Sequence, residues 1–377
     1  MQIGIFESEH FEVAATVIKL FDNGNNNITV FTFPRPHQQL KHLLSKNYHR
    51  YQWIVQDEQE SKYGFIRRMY NECRRRNIQL LYLSTVSDNH LLYAWLVRSL
   101  PHVRVVLTLH DINSHFRFQP AFSLRRLVRY IGKRALVRSV KEFNVISETM
   151  VTYLQGRLGQ KYPIYTLPGA VYEGTHHPVP SPAKTGKINI VVPGTVDVRR
   201  RDYNTVFQLL QACRQQALPV TVTLPGGYYG REGKEIINQC KAWAQQHDNL
   251  RFFETNLVDQ PLFDQCMQES HVVLLPTRIE TIVSDGVKET YGVSISSGTI
   301  FDVIRHAKPF IVPAALHIPG NLQSSAFRYH DPAAIIAFLQ RLFSQEDYYA
   351  DLCRQAVFNA AAYTIEKIRQ QHPALLG

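Results

Sequence analysis

The stretch Glu289–Pro313, ETYGVSISSGTIFDVIRHAKPFIVP, decides how the chain is read. Its middle, Ser296-Ser297-Gly298-Thr299, is small and polar and opens an apolar-periodic segment, Ile300 to His306. Lys308-Pro309 ends that segment, and Phe310-Ile311-Val312 follows as a short strand. A glycine-bearing turn feeding a helix leaves backbone N–H groups converging on one spot, where the helix dipole favours an anion. Asp302 falls about one turn inside, within reach of a sugar hydroxyl. The segment suits a nucleotide diphosphate with its ribose. An ordinary loop–helix–strand of an α/β domain carries the same pattern.

Strand and helix patterns alternate on both sides of this stretch. Upstream, strands are expected at Gln2–Phe6, Ile28–Thr32, Trp53–Val55, Leu80–Leu83, Val103–Leu109, Glu142–Ile146 and Ile164–Leu167, with helices such as Phe11–Phe21 between several of them. Pro178–Lys187, PVPSPAKTGK, lacks core-forming side chains and reads as a linker. Beyond it come strands at Ile188–Val192, Val220–Leu224, Arg251–Phe253 and His271–Leu275, helices at Asp202–Gln216, Lys234–Gln246 and Gln260–Glu269, and a last helical stretch from Asp347 to Gln371. Such alternation predicts an α/β fold of two Rossmann-like, doubly wound domains facing a central cleft. Residues 1–177 are expected to form the first and 188–350 the second, with 178–187 as the linker.

Composition narrows the function classes. The chain has 377 residues, 45% of them hydrophobic, and no apolar run long enough to span a bilayer. MQIGIFESEH is a strand followed by acidic residues, so no secretory leader is expected. Cys73, Cys213, Cys240, Cys266 and Cys353 are scattered and suit reduced thiols in a cytoplasmic protein. Neither cysteines nor histidines have metal-ligand spacing, so no metal is expected. Charge is uneven: Ser61–Lys141 carries sixteen basic and three acidic residues, a balance of 16 − 3 = +13 against +11 for the chain. Within it, Ser123–Lys141 reads as a helix with Leu124, Leu127, Val128, Ile131 and Ala135 on one face and Arg125, Arg126, Arg129, Lys133 and Arg134 around the rest. That helix suits an anionic membrane surface, or a core-facing stripe with solvated arginines. Nucleic-acid signatures are lacking, as are a nucleophile elbow, a Walker A loop and a GxGxxG after the first strand.

Several landmarks fall in one order. TLHD at Thr108–Asp111 follows a strand; VISETMVTYL at Val145–Leu154 and YTLPGAV at Tyr165–Val171 come next. VVPGTVDVRRRDY at Val191–Tyr203 joins a strand, a glycine loop and basic residues, and VVLLPT at Val272–Thr277 precedes DVIRHAKPFIVP at Asp302–Pro313. In these patches the chain resembles the GT-B-fold glycosyltransferases, and within them the retaining family 4. The resemblance implies a metal-independent enzyme, without a cofactor, moving a sugar from a nucleotide-sugar donor to a saccharide or lipid-linked acceptor in surface polysaccharide or glycolipid synthesis. It also implies an N-terminal acceptor-side domain, a C-terminal donor domain, and a C-terminal helix at 351–377 that returns to the first domain.

The same resemblance assigns roles. His110 would contact the transferring sugar or the acceptor. Arg200 and Arg201, with Arg199, would neutralise charge on the leaving diphosphate beside the Gly194-Thr195 loop. Ser296, Ser297, Gly298, Thr299 and Asp302 would hold the donor. The family's motif carries two glutamates. Asp302 stands where the second belongs, Ser294 where the first belongs, and Glu289 is the nearby upstream acid. Either Glu289 reaches in from a longer loop, or Ser296, Ser297 and Thr299 take over the first carboxylate's task. Two other functions stay open: a nucleotide-sugar 2-epimerase on the same fold, and a non-catalytic basic adaptor docking on membrane or polyanion.

Overall fold

The structure, a computed structural model, describes residues 1–119, 123–174, 179–283 and 286–376. Pro178 of the linker stretch lies outside them. Contacts divide the chain into two compact units. Met1–Ala170, Ile282–Ser296 and Ile365–Gly377 form the first; Val171–Thr281 and Ser297–Thr364 form the second.

The first unit is built on a seven-stranded parallel sheet. From edge to edge it runs Gln52–Val55, Asn27–Thr32, Gln2–Glu7, Leu80–Thr85, Arg104–Thr108, Glu142–Asn144 and Ile164–Tyr165. The central strand Leu80–Thr85, LLYLST, is buried at every residue. Helices on both faces of a parallel sheet demand such a continuous apolar run. The second unit has a six-stranded parallel sheet in the order Leu250–Phe252, Val220–Leu224, Ile188–Val191, Val272–Leu274, Phe310–Pro313 and Ala326–Tyr329. Each sheet therefore begins 3-2-1-4-5-6 in its own strand count. The order reverses between the first and fourth strands, and ligands of doubly wound folds bind outside the strand C-termini at that point.

Three details differ from the sequence expectation. The edge strand Ala326–Tyr329 has no apolar run to announce it. Its Arg328 instead donates to the Ala314 and Leu316 carbonyls, at 2.9 and 3.0 Å. The stretch Asp347–Gln371 is not one helix. It breaks into Glu346–Ala360, a single 3₁₀ turn at Ala361–Tyr363, and Ile365–Gln371, with Thr364 extended between them. The basic helix, Leu124–Ser139, turns its predicted apolar stripe outward: Leu124 is 76% exposed, Val128 47% and Ile131 48%. Its buried side is Gly132, Lys133, Leu136 and Val137. Lys133 therefore does not belong to the exposed basic rim. Gly132 lies against the backbone of Leu91, and this lets the His90–Ser99 helix pack closely on it. Among the described residues no helix is long and apolar enough to cross a membrane.

Candidate functional site

In the second unit, the site is built where the first and fourth strands diverge. Strand Ile188–Val191 runs into Pro193-Gly194-Thr195, with Gly194 at φ +86°, a conformation that suits glycine. A second glycine turn, Pro225-Gly226-Gly227, leaves the neighbouring strand and packs backbone against backbone on the first. A Cβ at Gly226 would overlap the Gly194 carbonyl, and one at Gly227 would overlap Asn256. The Gly298–His306 helix starts beside them, with the Thr299 methyl near Gly194 and Ser297 Oγ 2.7 Å from Thr299 Oγ1. Gly298 is exposed, and a Cβ there would meet open space. Asp302 is half-buried one turn further on.

The three arginines separate. Arg201 lies over Gly194, its Nη1 donating to the Thr195 carbonyl at 2.6 Å. Arg199 is held by Asp197 through two donors, at 3.0 and 2.7 Å, and stacks over the Tyr229 ring. Burial works to raise the Asp197 pKa, yet Arg199 and its backbone N–H hold that carboxyl below its ordinary range. Arg200 is 60% exposed, 3.5 Å from Asp197. Arg201, Gly194, Thr195, Ser297, Gly298 and Thr299 thus come together, while Arg199 is already engaged in an internal ion pair.

In the first unit, a polar cluster sits at the equivalent reversal of strand order. Glu7 ends the first strand, Thr85 ends the fourth, and His110 follows the fifth. The register between the first and fourth strands slips: Phe6 pairs with Leu83, but Glu7 pairs with Thr85. Ser84 is the extra residue of this bulge, and such bulges re-aim groups next to sites. The Ser84 carbonyl and Thr85 Oγ1 each lie 3.0 Å from His110 Nε2. Thr85 Oγ1 donates to Glu7 Oε2 at 3.0 Å, and Glu7 Oε1 accepts from the Glu9 and His10 N–H groups at 2.7 and 2.8 Å. Burial and the nearby His10 push the His110 pKa down to about 3, so its imidazole is neutral. Burial pushes the Glu7 carboxyl up.

Glu289 belongs to the first unit. It is 1% exposed, and its Oε1 accepts from the Ser114 N–H at 2.9 Å. Asn113 donates to the Lys288 carbonyl, Ile112 N–H to the Ser294 carbonyl, and Ser294 Oγ receives the Thr290 N–H. These bonds tie residues 288–295 to the Ile112–Phe116 turn. Burial, then the charge of Asp111, raises the Glu289 carboxyl to about 7. Ser296 ends the Ile282–Ser296 segment of this unit, and Ser297 begins the next segment of the second. Sequence reasoning missed the Glu7–Thr85–His110 chain and the contact between Gly226 and Gly194. The signals available were an acidic residue at a strand end and a Gly-Gly after a strand, both common in βα turns. Among the described residues no group of three His, Cys, Asp or Glu side chains is placed to hold a metal ion.

Comparison with known proteins bears out the resemblance and the fold. Residues 13–172 match the family model Glycosyltransferase Family 4. The fold is GT-B. A sucrose-phosphate synthase from Thermosynechococcus elongatus aligns over 100% of this chain and 98% of its own, at 14% identity and TM-score 0.64. Anabaena HepE in complex with UDP and glucose aligns over 100% and 99%, at 14% identity and TM-score 0.67. A UDP-GlcNAc 2-epimerase from Neisseria meningitidis bound to UDP-GlcNAc aligns over 100% and 99%, at 10% identity and TM-score 0.58. No curated protein matches the chain by sequence.

Proposed function

We propose that the protein is a glycosyltransferase that moves a sugar from a nucleotide-sugar donor to a saccharide acceptor, with retention and without a metal. The observation that carries this is the seat in the second unit, where Arg201, the Gly194 turn and the Gly298 helix N-terminus converge on one open spot. As a glycosidic bond to a nucleotide diphosphate breaks, negative charge grows on the leaving oxygens. A guanidinium and aligned N–H dipoles lower that barrier without moving. Arg201 carries this role, Arg200 supplies a second exposed cation, and Arg199 shapes the turn through Asp197. Asp302 takes a ribose hydroxyl. UDP is the leading nucleotide, because similar folds are known with UDP or UDP-sugars. The donor domain is residues 188–350 without the 282–296 segment, which belongs to the first unit, and the remaining chemistry needs no cofactor.

The outward stripe Leu124, Leu127, Val128 and Ile131, with Arg125 and Arg126 exposed beside it, favours a peripheral seat on an anionic membrane and hence a lipid-linked acceptor for a surface polysaccharide or glycolipid. Thermal shifts with UDP, GDP, ADP and CDP test the first step. A ligand at 100 times its Kd adds roughly 2.7 kcal/mol of stability. Release of nucleotide from the matching nucleotide sugar, dependent on an added saccharide or lipid-linked saccharide, tests the second. An epimerase would convert the sugar without an acceptor. A protein indifferent to every nucleotide would be an adaptor, and the proposal would fail.

A further inference from the structure

We infer that Glu7 and Thr85 are positioning residues that lock His110 as its Nε2–H tautomer and so present Nδ1 as the acceptor for a saccharide hydroxyl. The saccharide rests on the function proposed above; the locked ring does not. The Ser84 carbonyl can only accept, so the 3.0 Å contact favours a proton on Nε2. Thr85 agrees with it. Its hydroxyl proton is taken by Glu7 Oε2, which leaves an oxygen lone pair to share the same Nε2–H. Glu7 in turn cannot rotate away, because its other oxygen is fixed by the Glu9 and His10 N–H groups. The bulge at Ser84 makes the arrangement possible: in regular register Ser84, not Thr85, would face Glu7. A neutral ring with its proton fixed on Nε2 offers Nδ1 as an acceptor. It can therefore accept from a hydroxyl but neither donate to one nor carry charge. That assigns His110 to orienting a sugar and excludes it as a cation for the leaving phosphate.

Histidine-15N-labelled protein tests the tautomer directly by long-range 1H–15N NMR, with the signal assigned by its loss in His110→Asn. The Nε2–H form is expected throughout pH 5–8. Thr85→Val and Glu7→Gln should each admit a fraction of the Nδ1–H form, and Thr85→Ser should keep the parent pattern. In binding, Thr85→Val should weaken UDP-glucose by about tenfold relative to UDP, and Thr85→Ser should restore it. A parent ring that is charged or protonated on Nδ1, or a Thr85→Val protein unchanged in both tautomer and UDP-glucose affinity, overturns the assignment. If the parent binds no nucleotide at all, the transferase proposal falls, and the NMR spectra still decide whether the ring is locked. Should Glu7→Gln fail to fold, the Thr85 pair decides the matter.

Discussion

The two units carry the same strand-order reversal and fill it in opposite ways. In the first, the crevice end of the sheet is lined by the buried Glu7 and the half-buried His110, each fixed by named hydrogen bonds. In the second, it is lined by two glycine turns, a helix N-terminus and arginines that reach solvent. A neutral imidazole suits recognition of a neutral hydroxyl, because desolvation keeps it uncharged and its hydrogen bonds keep one tautomer. Open backbone and guanidinium groups suit an anion, because charge is handled by dipoles and cations that need no desolvation beforehand. The family resemblance assigns those two tasks to the same two units.

The sharpest way to break this comparison is to disturb the glycine turns. Gly226→Ala should cost on the order of 3–5 kcal/mol or prevent folding, because its Cβ strikes main chain that cannot yield. Gly298→Ala, which faces open space, should leave stability nearly unchanged. Urea denaturation of both variants checks this; equal losses would mean that the turns are not packed as described.

The buried side of the comparison is tested by pH. Glu289, raised to about 7, holds its proton to higher pH in the folded chain than in the unfolded one. Its contribution to stability is present below its ordinary pKa and is lost as pH rises through 7. His110, lowered to about 3, acts oppositely: its contribution is present above its ordinary pKa and is lost as pH falls. Glu289→Gln should therefore gain on the parent between pH 5 and 8, by on the order of 3 kcal/mol. Denaturation midpoints at three pH values measure it, and a pH-independent difference would remove Glu289 from its buried setting.

On the open side, Arg201→Ala should weaken nucleoside diphosphate binding by about 1.5–3 kcal/mol, and Arg200→Ala by less. Calorimetric titration with the nucleotide selected by thermal shift measures both. Undiminished binding in Arg201→Ala would make these arginines a solvated turn. The smallest effect expected is at the membrane, about 1 kcal/mol per exposed basic residue. Sedimentation with anionic liposomes at low salt should be lost when Arg125, Arg126 and Arg129 are replaced together by glutamine, and neutral liposomes should bind little. Salt-insensitive binding would mean that the helix docks elsewhere.

Much of this was legible in the residues. Alternating apolar runs announced the parallel sheets, because a strand covered on both faces must be apolar throughout. The Gly298 helix start and the Gly194 loop were readable because turn glycine and helix periodicity are local properties. Arg199, Arg200 and Arg201 are identical in sequence terms, yet Asp197 engages the first through two hydrogen bonds while Arg201 lies over Gly194.

Sequence by itself determined the α/β class, the order of its elements and the glycine-to-helix junction, since periodicity and turn chemistry act over a few residues. Tertiary structure alone decided that 282–296 joins the first unit, that the Leu124 stripe faces water while Lys133 is buried, and that Glu7, Thr85 and His110 form one chain. Those outcomes depend on strand register and helix packing between residues far apart in the chain, and local pattern does not encode which distant group arrives.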